Sequence, residues 1–159
     1  MKPQKTNIEI LYKKYRLNID FEGEKTAYDL LFNKNSTKDV FQTKAISLYD
    51  NEKLIGIGFF DLAEYSGAQV LNFFDPDYHK QSIGKYLTLE TMRYLQSINH
   101  KYYYVGFKYV GHSKMDYKLF VGEEGVEYLD KDTNQWKFYG DYKSDVCTPP
   151  LITGVKSRG

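Results

Sequence analysis

The stretch FFDPDYHKQSIGKYLTLETMRYLQS, Phe73 to Ser97, places the tightest constraint on the fold. Its aromatic start is stopped by Asp75-Pro76-Asp77, because proline cannot donate a ladder hydrogen bond and ends a central strand. Ile83, Leu87, Tyr94, Leu95 and Ile98 then recur at helical spacing, and Ser82 stands where an N-cap is wanted. The spacing predicts a helix from about Ser82 to Asn99. A strand that turns directly into an amphipathic helix needs a sheet for that helix to cover.

The rest of the chain supplies the sheet. Ile8, Leu11, Tyr12 and Tyr15 predict a first amphipathic helix, and Ala27, Leu30 and Leu31 a short second one over Thr26 to Asn33. Val40 to Leu48 and Leu54 to Leu62, separated by Asp50-Asn51-Glu52, form a β-hairpin signal. Gly56 and Gly58 inside its second arm imply close approach to the backbone, or a bulge. A third strand runs from Ala68 to Phe74, and KYYYVGFKYV is a fourth, dense in aromatics. A short helix is predicted near Glu123 to Leu129, a last strand in NQWKFY, and a loose tail over about 144–159. The predicted class is α+β, a single domain over 1–159 with a mixed central β-sheet flanked by helices. The element order, read by analogy, resembles the GNAT acyltransferase fold.

Composition excludes several classes. Hydrophobic residues make up 42% of the chain, which argues against disorder. No apolar run approaches the ~20 residues that span a bilayer, and the N-terminus lacks the apolar core of a secretion signal. A lone cysteine, Cys147, allows neither an internal disulfide nor a multi-cysteine metal site. The chain is therefore expected in the cytoplasm, with no metal and no membrane contact. A net charge of +1 gives no general nucleic-acid coat, and Lys13, Lys14 and Arg16 read first as a solvated face. The 16 tyrosines give either a core with polar handles or a surface that stacks against ligands.

Gln81-Ser82-Ile83-Gly84-Lys85-Tyr86 is similar to the turn with which acetyltransferases cradle the pyrophosphate of coenzyme A, except that Tyr86 replaces the last small residue. A helix N-terminus suits a phosphate or a developing oxyanion. A ring at Tyr86 narrows the space for a pyrophosphate, and Asp75 and Asp77 repel one. Both features disfavour coenzyme A.

Three stretches in order, LYKKYR at 11–16, FFDPDYHKQSIGKYLTLE at 73–90 and YYYVGFKYVGHSKMDYKLF at 102–120, resemble the C-terminal region of arginyl-tRNA–protein transferases and of bacterial aspartate/glutamate leucyltransferases. The likeness covers roughly residues 8–140. Arg16 stands where that family usually has Gln, and since the family's upstream region, with its glycine-rich start and in many members cysteines, is not in this sequence, the chain is expected to be either a naturally short member or one domain of a longer protein. The resemblance implies a GNAT-like fold and transfer of an amino acid from aminoacyl-tRNA to the N-terminal α-amine of an acceptor protein. The acceptor is expected to begin with an acidic residue and the transfer to mark it for degradation. No cofactor is implied. The alternatives are a coenzyme A–dependent N-acetyltransferase and a non-catalytic domain that binds tRNA or the acceptor.

An aminoacyl ester is already activated, and an α-amine has a pKa of about 8, so no strong base is required. The site has to orient ester and amine and stabilise an oxyanion. Ser82, Gly84 and Tyr86 are the candidates for the ester side, and Asp75 for accepting a proton from the incoming amine or orienting a tyrosine. Lys114, Lys118 and Arg16 are the candidate cations for an acidic acceptor or for tRNA phosphates. Tyr104, Tyr117 and Trp136 are candidates to stack on the terminal adenine, with core packing as the alternative for each ring.

Overall fold

A computed structural model describes residues 3–19, 24–31, 42–108, 118–141 and 151–156. The chain divides into two compact units, Met1–Asp61 with Val70–Thr91, and Leu62–Gln69 with Met92–Gly159.

In the first unit, helix α1 (Lys5–Arg16) buries Leu11 and Tyr12 and ends on Lys13, Lys14 and Arg16, cations that suit the negative end of the helix dipole. Helix α2 (Ala27–Leu31) begins at Thr26, whose hydroxyl oxygen accepts from the Asp29 N–H at 2.9 Å. Glu9 of α1 accepts from the N–H groups of Ala27 and Tyr28 at 3.2 and 2.9 Å, which fastens the two helices together. Strands β1 (Gln42–Asp50) and β2 (Lys53–Leu62) form the expected hairpin, with Asn51 in the left-handed region at φ 54°. Strand β3 (Ser66–Phe74) follows, and the strand order here is β1-β2-β3.

Two clusters cover the two faces of β2. Leu54, Ile57 and Phe59 pack with Leu11, Tyr12, Ala27 and Phe73, while Ile55 packs with Ile83 and Leu87 of helix α3 (Ile83–Ser97). Gly56 also faces α3, where an added Cβ would come within 2.7 Å of Ile83 Cγ2. Ile55 and Gly56 thus address the same helix, so the alternation of β2 slips by one residue there. The close approach expected at Gly56 and Gly58 comes from the chain's own side chains.

In the second unit, Ser66–Ala68 of β3 pair in parallel with Tyr102–Tyr104 of β4 (Tyr102–Lys108). β4 pairs antiparallel with β7 (Leu151–Lys156), β7 with β5 (Val126–Asp130), and β5 with β6 (Gln135–Phe138). The sheet is mixed, as expected.

Two sequence-based expectations are corrected. The segment predicted as a short helix near Glu123 to Leu129 is a single 3-10 turn, Glu123–Gly125, followed by β5. Gly125 interrupts the helical signal, and Val126, Tyr128 and Leu129 suit a pleated strand better. The expected loose tail contains β7, bonded on both sides, between β4 and β5. Its Ile152, Thr153 and Val155 are β-branched, and that preference outweighs the neighbouring prolines and the terminal position.

Candidate functional site

The turn that ends β3 is organised around Asp75, which is only 1% exposed. One carboxylate oxygen lies 2.5 Å from Lys14 Nζ of α1 and the other 2.8 Å from Lys53 Nζ of β2. The first also accepts from the Asp77 N–H at 3.1 Å, which caps the 3-10 helix Pro76–Gln81. The backbone of Asp75 is held too, with its N–H donating to Ile55 O at 2.8 Å and its carbonyl accepting from the Tyr78 N–H at 2.9 Å. Lys14 additionally reaches Asp77 at 2.5 Å, and the Tyr78 hydroxyl donates to Asp50 at 2.6 Å. Asp75 therefore ties the last turn of α1, the start of β2 and the approach to α3 into one assembly.

Burial alone would push the Asp75 carboxyl up. Hydrogen bonds from Lys14, Lys53 and the Asp77 N–H outweigh that and hold it at about 2. Lys14 and Lys53 are both raised, chiefly by their bonds to Asp75. With both oxygens occupied and an acid this strong, Asp75 is a poor proton acceptor at neutral pH. A cleft of about 340 Å³ opens beside it, lined by Ile10, Leu11, Lys14, Lys53 and Leu54 among others.

Helix α3 begins immediately after Ser82, which sits in the left-handed region at φ 53°. Ser82 closes the preceding 3-10 helix, and its carbonyl accepts from the Tyr86 N–H at 3.1 Å. Gly84 differs from the other packed glycines. Among the described residues a Cβ there would meet Phe74 alone, at 3.5 Å, which is ordinary contact, and its φ is not positive. At Gly56, Gly58 and Gly67 the same addition would bring atoms to 2.6–2.7 Å. Neither its conformation nor its packing against the described residues demands glycine at 84. Tyr86 is 45% exposed, so its ring lies at the surface of the helix opening rather than in the core.

The second unit holds a separate group of candidates. The rings of Tyr104 and Trp136 are 5.6 Å apart and tilted by 48°, and Trp136 is 41% exposed. Gly106 takes φ 88° at a register shift in β4, and Lys118 Nζ lies 3.5 Å from where a Cβ on Gly106 would stand. Burial lowers the pKa of Lys118. Lys137 pairs with Asp130, whose carboxyl that bond, with two backbone N–H groups, holds at about 2.

Of the residues singled out from sequence, Asp75, Ser82, Gly84, Tyr86 and Arg16 lie in the first unit, and Tyr104, Lys118 and Trp136 in the second. Lys114 and Tyr117 lie outside the described residues. Sequence reasoning passed over Lys53 and took Lys14 for part of a solvated face. The available signal was position: Lys14 lies three residues beyond the buried Leu11, and Lys53 opens the most buried strand. His100 has ring nitrogens 2.9 Å from Ala63 O and 3.2 Å from Ile98 O.

The family model for the arginine-tRNA-protein transferase C terminus matches residues 7–124, most of the chain and all of the Asp75 and α3 assembly. The chain belongs to this transferase family. Among curated relatives it is 27% identical over 141 residues to an aspartate/glutamate leucyltransferase of Leptospira interrogans, covering 85% of this chain and 54% of that protein. It is 36% identical over 74 residues to an Acinetobacter baumannii protein of the same name, covering 46% of this chain and 27% of that one. This transferase-family chain thus spans about half the length of the first of these relatives, or less.

Solved structures supply the fold. The ribosomal-protein-S18-alanine N-acetyltransferase of Escherichia coli matches with a TM-score of 0.59 and 11% identity over 96% of this chain and 86% of that one. A GNAT-family acetyltransferase of Staphylococcus aureus Mu50 matches at 0.56 and 15% over 96% and 92%. The transferase domain therefore has the GNAT fold. Among the described residues, no helix is long and apolar enough to cross a membrane.

Proposed function

We propose that this domain transfers an aminoacyl group from aminoacyl-tRNA to the N-terminal α-amine of an acceptor protein that begins with an acidic residue. The reaction takes place in the cytoplasm and marks the acceptor for degradation. One observation carries the reading: the tRNA–protein transferase family match covers residues 7–124 and includes the whole start of α3. Gly84 supports it, since a glycine that packing against the described residues does not require leaves room beside the start of α3.

The acceptor amine, as its neutral fraction, attacks the ester carbonyl. The C–N bond forms, the bond to the ribose oxygen breaks, and the proton lost by the amine ends on that oxygen. Ser82, Gly84 and Tyr86 surround the ester, where the opening amides of α3 favour the developing oxyanion. Asp75 acts as a positioning residue that fixes the turn ahead of α3. Lys118, Lys114 and Arg16 supply charge for the acceptor's carboxylate or for tRNA phosphates. Tyr104, Tyr117 and Trp136 offer rings to the terminal adenine. No cofactor takes part.

The test is incubation with charged tRNA and a peptide library varied at its first residue, read by mass spectrometry. The reading requires one added aminoacyl group on peptides beginning with Asp or Glu. Absence of any adduct on all peptides, with the protein folded, contradicts it.

A further inference from the structure

The cleft beside Asp75 lies wholly within the first unit and has two kinds of wall. Ile10, Leu11 and Leu54 make the apolar side, and Ile10 is 63% exposed. Lys14, Lys53, Glu52 and Asp75 make the charged side. The two lysine side chains are 39% and 53% exposed, whereas that of Asp75 is 2% exposed. A molecule entering the cleft therefore meets two ammoniums before it meets the carboxylate that holds them. At about 340 Å³ the cleft is close to the lower bound of ~300 Å³ for ligand pockets, which suits one or two residues of a peptide.

One cation is enough to neutralise a buried carboxylate, and here two converge on it. Lys14 is shared between Asp75 and Asp77. Lys53 gives one of its three N–H donors to Asp75 and stands 5.0 Å from the ring centroid of Tyr78. Its ammonium is thereby held in place with donors still turned to the cleft. The pKa values of both lysines are raised, chiefly by Asp75, so both stay charged at neutral pH. Because the fold already orders these side chains, their loss of rotamer freedom is not repeated on binding.

A carboxylate suits such donors, through charge-assisted hydrogen bonds. The apolar wall suits its methylene stem and the residue that follows. A nucleic-acid strand fits less well, since it brings a row of negative charges, and Glu52 in the lining and Asp77 on Lys14 oppose all but the one at the lysines. Asp75 also opens the turn Pro76–Gln81 that leads to α3, so the cleft and the proposed ester side are joined by one turn.

We propose, on the transfer reading given above, that the cleft beside Asp75 seats the acidic first residue of the acceptor, with Lys53 and Lys14 selecting its side-chain carboxylate. Lys114, Lys118 and Arg16 are then left to the tRNA phosphates.

The experiment titrates the full chain, without tRNA, with two peptides that differ only in a first residue of Asp or its uncharged isostere Asn. The parent should bind the Asp peptide about tenfold more tightly. Lys53→Met should abolish that preference and Lys14→Met should reduce it. Glu52→Gln removes a repelling charge at an exposed position and should tighten the Asp peptide about twofold. Ile10→Glu leaves the bonds of Asp75 untouched and should weaken the Asp peptide about threefold. Equal binding of the two peptides by the folded parent, or a preference that survives in both Lys53→Met and Ile10→Glu, overturns the proposal. Weaker binding of charged tRNA by Lys53→Met, with the peptide preference intact, overturns it in favour of a phosphate site.

A transfer assay on the same proteins separates this assignment from the reading beneath it. A parent that prefers the Asp peptide through Lys53 but adds nothing to it contradicts the transfer reading and supports the cleft as a site for an acidic first residue. A parent that transfers, with the same preference for Asp over Asn in Lys53→Met, contradicts the cleft and keeps the transfer reading.

Discussion

Lys14 Nζ lies 2.5 Å from the carboxylate of Asp75, joining the last turn of the first helix to the turn that launches the third. Lys53 holds the other oxygen of the same group. A buried carboxylate shared by two half-exposed lysines is a hub: removing it costs both lysines a pair and leaves Lys14 to Asp77, whereas removing either lysine leaves the other paired with Asp75. Asp75→Asn should therefore destabilise the first unit by about 2 kcal/mol, toward the low side for broken buried pairs because water reaches both lysines. Lys14→Met and Lys53→Met should each cost less. Urea unfolding of the three variants checks the order.

The same hub fixes the response to acid. The folded-state pKa of Asp75, about 2, lies below its ordinary 3.8, so its contribution to stability is complete above the ordinary value. It is lost as pH falls from about 4 through about 2. Asp130, held by Lys137, is depressed in the same direction and adds to the loss in the same window. The urea midpoint should be flat in this respect from pH 6 to about 5 and fall below about 4. The Asp75→Asn protein should show a shallower fall. An equal slope in parent and variant would show that Asp75 is not paired in solution.

Two glycines predict opposite outcomes for one substitution. Gly84→Ala adds a Cβ at ordinary contact distance and should leave the melting temperature unchanged or slightly raised, by at most ~1 kcal/mol of helix propensity. It should nonetheless depress transfer at least tenfold, an approximate figure for crowding at an oxyanion site. Gly56→Ala drives a Cβ into Ile83 and should destabilise by about 1–3 kcal/mol. Thermal unfolding beside a transfer assay separates the two.

Lys118 should be required for transfer but not for folding. Lys118→Ala removes an ammonium whose pKa burial lowers, and the fold should survive it while transfer is lost. Transfer at the parental rate would remove this lysine from the substrate site.

Binding of charged tRNA should weaken steeply with salt, by roughly tenfold or more between 50 and 200 mM, because phosphate contacts release counterions. Filter binding across that range checks it. Salt-independent affinity would mean that the lysines do not meet phosphates.

The parts of the fold that could be read in the sequence were those set by local chemistry. Pro76 ends β3, the 3.6-residue spacing from Ile83 marks α3, and Asp50-Asn51-Glu52 places the hairpin turn. β7 was not legible, since two prolines before Leu151–Lys156 and its place near the end of the sequence obscured the β-branched Ile152, Thr153 and Val155. Glu123 to Leu129 reads as a helix because two glutamates imitate a helix start, whereas Val126–Asp130 is a strand. In the candidate site, Gly84 and Tyr86 stood out within a motif. The bonds of Asp75 did not, because Lys14 and Lys53 are distant in sequence and only the packing of α1 and β2 brings them together.

The most direct test offers one acceptor peptide beginning with Asp both acetyl-CoA and aminoacyl-tRNA in the same tube, with the product mass as readout. The account predicts a peptide heavier by one amino-acid residue, appended at the α-amine, and no acetylated peptide. Acetylation without aminoacylation would contradict it.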